Sequence, residues 1–169
     1  MTRGYRNNNP GNIRKTSTVW MGQIIPGSDA DFITFESMEW GYRAIFVLLD
    51  GYISKGFDTI SKIINRYAPS SENDTTAYIN HVSTLTGINQ NTIINPDDME
   101  SMIKIVAAIS YHENGTAPNF TQVNGGWDLL GKTETAKEVV KTIGISITAL
   151  IFVSALGYLV YEFIKSKAI

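Results

Sequence analysis

The sequence predicts an α+β head, with a small N-terminal antiparallel sheet followed by four helices, plus one C-terminal transmembrane helix. Three observations carry that expectation. The first thirty-six residues are rich in turn signals and short alternating stretches. After Glu36 the apolar residues recur at helical rather than strand spacing. From Thr142 to Tyr161 there are twenty consecutive residues without a charge.

Each element has its own local reason. Asn9-Pro10-Gly11 reads as a turn, because proline sets φ and glycine accepts the positive-φ position. Val19 to Ile25 reads as a strand ended by Pro26-Gly27, and Asp31 to Glu36 alternates polar and apolar, with Phe32 and Phe35 breaking a perfect period. Ser37 then caps a helix with Gly41, Ile45, Leu48, Leu49 and Tyr52 on one face. Asp58 caps a second, in which Ile60, Ile63, Ile64 and Tyr67 keep the helical period until Pro69 stops it. Asp74 caps a third, with Tyr78, Val82 and Leu85 inward and Gly87 at its end. The fourth opens with Asn95 as cap, Pro96 at the first position and Asp97 and Asp98 in the first turn. Met99, Met102, Ile103 and Val106 form its apolar stripe, and Gly115 closes it.

The uncharged run is long enough as a helix to cross a bilayer of about 30 Å. Lys137 and Lys141 precede it, Lys165 and Lys167 follow it, and Tyr158 and Tyr161 sit where rings favour the interface. The N-terminus has no apolar stretch of the secretory kind. The expected organisation is therefore a head over 1–124, a linker over 125–138 marked by Gly125, Gly126 and Gly131, a membrane helix over 139–164, and a basic tail over 165–169. Residues 1–128 carry nine Lys/Arg against thirteen Asp/Glu, whereas 129–169 carry five against three. A basic collar beside a span suits anionic lipid.

Composition narrows the chemistry. With no cysteine there is no disulfide, thiolate site or cysteine nucleophile, and two histidines make a multi-histidine metal centre a poor expectation. No metal or cofactor is expected. A net charge of −2 argues against nucleic acid as a partner. Catalysis must then rest on carboxylates, hydroxyls and amides. Glu39 stands in a first helical turn and Glu72 just before another, where the dipole favours the anion, so cap or helix-start roles compete with catalytic ones. Glu113 falls in a last turn, just before Asn114-Gly115, where the dipole disfavours the anion and favours the protonated form that a general acid needs. Its competing reading is an exposed side chain on a fraying end, paired with His112 or Lys104. Asn7, Asn8, Asn9, Asn12 and Trp20, with other tryptophans, would suit a sugar groove, since amides match hydroxyls and rings stack on sugar faces; turn asparagines and core tryptophans explain them equally well.

The block Arg3-Gly4-Tyr5-Arg6-Asn7-Asn8-Asn9-Pro10-Gly11-Asn12-Ile13-Arg14 resembles the N-terminal signature of a family of phage and prophage virion proteins read as lysozyme-like and peptidoglycan-degrading. The likeness continues through Trp20-Met21-Gly22-Gln23, Phe32 to Ser37, Gly41-Tyr42-Arg43-Ala44, Ile63 to Pro69, Glu72 to Thr75 and Tyr78-Ile79, and ends near His112-Glu113-Asn114-Gly115. The resemblance implies a lysozyme-like head that cleaves β-1,4 glycosidic links of bacterial peptidoglycan as a muramidase or lytic transglycosylase. It implies Glu113, Glu39 or Glu72 as the acid, and Asn7, Asn8, Asn9, Asn12, Trp20 and Arg43 as substrate contacts. Because the helix ending at Glu113 comes last and the sheet first, the match to lysozyme-like folds would be circularly permuted. With the apolar tail added, the resemblance implies a virion component anchored in lipid, with other virion proteins as neighbours, that opens the wall during infection. The alternative is a structural protein at a capsid vertex, or one linking membrane to shell, that needs no activity.

Overall fold

Six helices follow one another among the described residues, 1–71 and 74–132 of a computed structural model: α1 (Arg3–Arg6), α2 (Met38–Ile53), α3 (Ile60–Tyr67), α4 (Thr75–Thr86), α5 (Met99–Asn114) and α6 (Phe120–Asp128). All belong to a unit spanning Met1–Leu129. The helices expected after Glu36 are present, and their caps show how local chemistry starts them. Asp74 accepts from the Ala77 amide at 3.0 Å and Gly87 ends α4 at φ 70°, in the left-handed region that glycine tolerates. Two caps move by one to three residues. Thr59, not Asp58, caps α3 by accepting from the Lys62 amide, while Asp58 pairs with the Lys62 ammonium at 2.8 Å. Asp98, not Asn95, caps α5, and Asn95 instead accepts from the Asp97 amide in the turn before it. Leu85 and Met99, expected to face inward, are 48% and 43% exposed.

The expected N-terminal sheet is corrected: the described residues contain no β-strand, only isolated antiparallel bridges such as Arg14 with Phe32 and Gln23 with Phe35. The α+β class therefore gives way to a helical one, and with it goes the permuted match of sheet to sheet. The physical reason is that side chains take the places of ladder bonds. Asn9 Nδ2 donates to the carbonyls of Ile13 and Ile33, both at 2.9 Å, and Asn8 Nδ2 donates to those of Phe35 and Glu36. The Asp29 carboxylate accepts from the amides of Asp31 and Phe32. What backbone pairing remains alternates between two sides: Ile33 and Phe35 donate toward Ile13 and Asn7, whereas the carbonyl of Thr34 and the amide of Glu36 pair with Ile24 and Gly22. Ile33 and Phe35, both fully buried, then pack with Ala44 of α2 under Ile13, Trp20 and Trp40. Arg3 holds the Asp29 carboxyl well below the usual carboxylate range through two hydrogen bonds, so this clamp stays charged.

Two further elements were not expected. Thr2 caps the short α1 by accepting from the Tyr5 amide. α6 runs through Gly125 and Gly126, so the first residues assigned to a linker are helical and packed on α2. A Cβ at Gly126 would lie 2.6 Å from Tyr42 Cβ and 2.9 Å from the Arg43 amide nitrogen, which is why these helices can approach. Residues 133–138 of the expected linker, the membrane helix over 139–164 and the tail lie outside the described residues. Among the described residues, no helix is long and apolar enough to cross a membrane.

Gly41 plays the same part for the N-terminal segment, since a Cβ there would meet the Asn8 carbonyl oxygen at 2.0 Å. Alanine in a helix interior is otherwise better than glycine by about 1 kcal/mol. Overpacking costs about 1–3 kcal/mol and here acts against backbone, so the clash wins. Gly41→Ala is expected to lower the urea midpoint; a raised midpoint would show that the contact yields.

Candidate functional site

The apolar stripe of α5, including Met102, Ile105, Val106 and Ile109, is buried, and Gly115 at φ 61° ends the helix. At that end Asn114 donates to the carbonyls of Pro10 (2.8 Å) and Ser110 (3.0 Å) and accepts from the Thr2 hydroxyl at 2.7 Å. The segment 2–12 is thereby tied to the last turn of α5. Asn12 sits at φ 48°, a left-handed conformation that asparagine tolerates better than most residues, and its side chain turns toward the helix.

Glu113 is the meeting point. Its Oε2 accepts from Asn12 Nδ2 and its Oε1 from the Tyr78 hydroxyl, both at 2.9 Å. Tyr78 comes from α4 and is 1% exposed. Tyr67, at the end of α3, donates to the carbonyl of Gly11, the neighbour of Asn12. Burial pushes both phenols well above their usual range, and the Glu113 charge pushes the same way. Both tyrosines are therefore neutral hydroxyls at any physiological pH. A phenol both donates and accepts, and an amide presents either end, so this shell can pair with an ionised or a protonated carboxyl. That is what a group alternating between acid and base requires.

The other sequence candidates lie elsewhere. Glu39 is in the first turn of α2 and packs against α6, where a Cβ on Gly125 would lie 2.8 Å from its Cγ. Glu72 lies outside the described residues. Asn7 donates to Asp29 at 2.9 Å, and Asn8 and Asn9 are held by the carbonyls named above. Trp20 packs on the Ile33–Phe35 cluster. Arg43, 8% exposed, donates to the Leu129 carbonyl at 3.2 Å and lies over the Trp40 ring. Of the amide set, Asn12 alone has a hydrogen bond to one of the candidate acids among the described residues. Sequence reasoning missed Tyr78 and Tyr67 as partners. Their signal was present, since a tyrosine on an inward helix face carries a hydroxyl that must find a partner in the core.

Next to Tyr78, two histidines meet. His81 of α4 and His112 of α5 approach Nδ1 to Nδ1 at 2.9 Å, and the His112 ring stacks on Tyr78 with centroids 3.5 Å apart and planes 8° from parallel. Burial first, then the proximity of His81, lowers the pKa of His112. The native state therefore binds this proton less well than the unfolded chain, so the His112 contribution to stability is fully present above about pH 6.5 and is lost as pH falls through its lower folded value. Urea midpoints should fall from about pH 6.5 downward, less steeply in His112→Gln. Parallel slopes in the two proteins would remove His112 as the cause.

A cavity of about 380 Å³ opens on another face of α5, lined by Leu85, Ala107, Ala108, Tyr111, Pro118 and Phe120. Ala107, Ala108 and Tyr111 share one stripe, and Glu113, two residues on, is turned by about 200° from Tyr111. This apolar cavity is thus separate from the carboxyl.

No protein-family model matches the chain. Over 131 residues it is 37% identical to Protein P5 of Pseudoalteromonas phage PM2, a stretch that covers 75% of this chain and 80% of that protein. The expectation of a phage protein, raised by the Arg3–Arg14 block, is met at that level. The chain belongs to the family of Protein P5 of Pseudoalteromonas phage PM2.

Proposed function

We propose that this chain is a virion-associated protein whose head cleaves the glycosidic links of peptidoglycan, with Glu113 as general acid. The observation that carries the proposal is the carboxyl at the C-terminal end of α5, held between Asn12 of the N-terminal motif and Tyr78 of α4. In the reaction, protonated Glu113 donates to the leaving glycosidic oxygen as oxocarbenium character develops at the sugar C1. The resulting carboxylate then accepts a proton from water in a muramidase, or from the substrate's own 6-hydroxyl in a lytic transglycosylase. Relatedness to a phage protein supports a place in the virion and among its other proteins. The uncharged run 142–161 with its flanking lysines supports contact with lipid.

A second reading, a structural role at a capsid vertex or between membrane and shell, draws on a different observation. Asn7, Asn8, Asn9 and Arg43 spend their polar groups on the chain itself, as a scaffold would. Zymography on purified peptidoglycan with the full-length chain and with Glu113→Gln separates the two. A lytic band lost in the variant supports cleavage by Glu113, and no band from the native chain across pH and salt supports the structural role. The mass of the released sugar, hydrated or 1,6-anhydro, separates muramidase from transglycosylase.

A further inference from the structure

We infer that the His81–His112 pair is a proton-operated clasp on the Glu113 site, holding Tyr78 against the carboxyl until both imidazoles are charged. As a control of cleavage the inference rests on the reading of Glu113 above, whereas the coupling itself stands on geometry alone. The two ring centroids lie 5.1 Å apart. That is close to the 2.9 Å between the nitrogens plus the two centroid-to-nitrogen radii, so the Nδ1 atoms face each other along one line. This is hydrogen-bond geometry; two nitrogens chelating one metal ion would converge on an apex instead.

A collinear pair has room for one proton. Two neutral rings satisfy it when one presents Nδ1–H and the other its lone pair, and a singly charged pair satisfies it too. Two imidazolium rings do not, because two N–H groups and two like charges then point at each other. The second proton therefore drives the two rings apart. His112 carries that motion to the site because it stacks flat on Tyr78, whose hydroxyl holds Glu113 Oε1. Tyr78 is fully enclosed and has no exposed position to turn into.

The surrounding groups leave the histidines in control. In contact with the pair are Tyr78 on α4, stacked on His112, and Tyr111 on α5, beside His81; Glu113 on α5 and Tyr67 on α3 act on Tyr78, and the uncharged Asn12 from the N-terminal segment bonds Glu113. The phenols of Tyr67 and Tyr78 stay neutral. Lys104, farther along α5, is paired with Glu100. Imidazole is the side chain whose ordinary titration lies between pH 5 and 8.

The test is an NMR titration of the full-length chain, following the imidazole Cε1 protons and the Glu113 carboxyl carbon. In the native chain the two imidazoles are expected to take up their protons as a coupled pair, one after the other. The Glu113 carbon should shift with the second step. In His81→Gln a single imidazole step should remain, and the matching Glu113 shift should vanish. Tyr78→Phe keeps the stacked ring without the hydroxyl, so it should preserve both imidazole steps and lose the Glu113 response. Should His81→Gln fail to fold, the Tyr78→Phe titration is sufficient to decide. Independent imidazole curves, or a Glu113 response unchanged in Tyr78→Phe, overturn the clasp. Lysis that survives Glu113→Gln while the coupling is present removes Glu113 as the acid and leaves the clasp; the converse pattern does the reverse.

Discussion

Glu113→Gln is expected to reduce peptidoglycan lysis by about 10²–10⁴-fold, the usual contribution of a positioned general acid, with little change in stability. The variant is informative because the amide is isosteric and the shell adapts to it. Asn12 can present its oxygen instead of its nitrogen, and the Tyr78 hydroxyl can accept as readily as it donates. The end of α5 is held independently by Asn114, through Pro10, Ser110 and Thr2. Lysis and thermal midpoint should therefore separate, with the first collapsing and the second staying within about 1 kcal/mol of the native chain. Lysis that persists at the native rate removes Glu113 from the chemistry and returns the role to Glu39 or Glu72.

Trp127→Ala is expected to cost about 3–5 kcal/mol, the range for deleting a large aromatic side chain from a core. Trp127 is 2% exposed and meets Phe46 of α2 edge-on, with ring centroids 5.4 Å apart. Its helix lies on α2 through Gly126, where the two helices approach closely. A domain of this size is stable by about 5–15 kcal/mol, so the loss removes a large share. Urea unfolding of the full-length chain measures it. A change below about 1 kcal/mol would show α6 to be a passenger on the fold and not part of its cooperative unit. The same reasoning sets the head's boundary near Leu129: a chain cut after residue 124 should be far less stable than one cut after 129.

How much of this was legible in advance follows from how local each signal is. The helix from Thr75 to Thr86 was readable because Asp74 and Gly87 act within one turn of their own position. The helix end at Glu113 was readable from Gly115 for the same reason. The N-terminal thirty-six residues misled because alternation and turn residues describe an extended chain without saying what satisfies its backbone. Asn8 and Asn9 looked like turn or sugar-binding amides, and in the fold they bond the carbonyls that a neighbouring strand would have taken. Gly125 and Gly126 looked like a linker because glycine is a poor helix former. Against Glu39 and Tyr42 they are what lets two helices touch.

By itself, the amino-acid order determined that helices follow Glu36, the stops at Gly87 and Gly115, the long uncharged run at 142–161, and the position of one carboxyl at a helix C-terminus. Those properties arise within a few residues, from caps, dipoles and hydrophobic spacing. The tertiary structure alone decided that Asn12, Tyr78 and Tyr67 gather around Glu113, and that His81 meets His112. These partners lie tens of residues apart, up to 101 between Asn12 and Glu113. Their meeting depends on how α3, α4 and α5 pack, and packing is a property of the folded whole rather than of any stretch of chain.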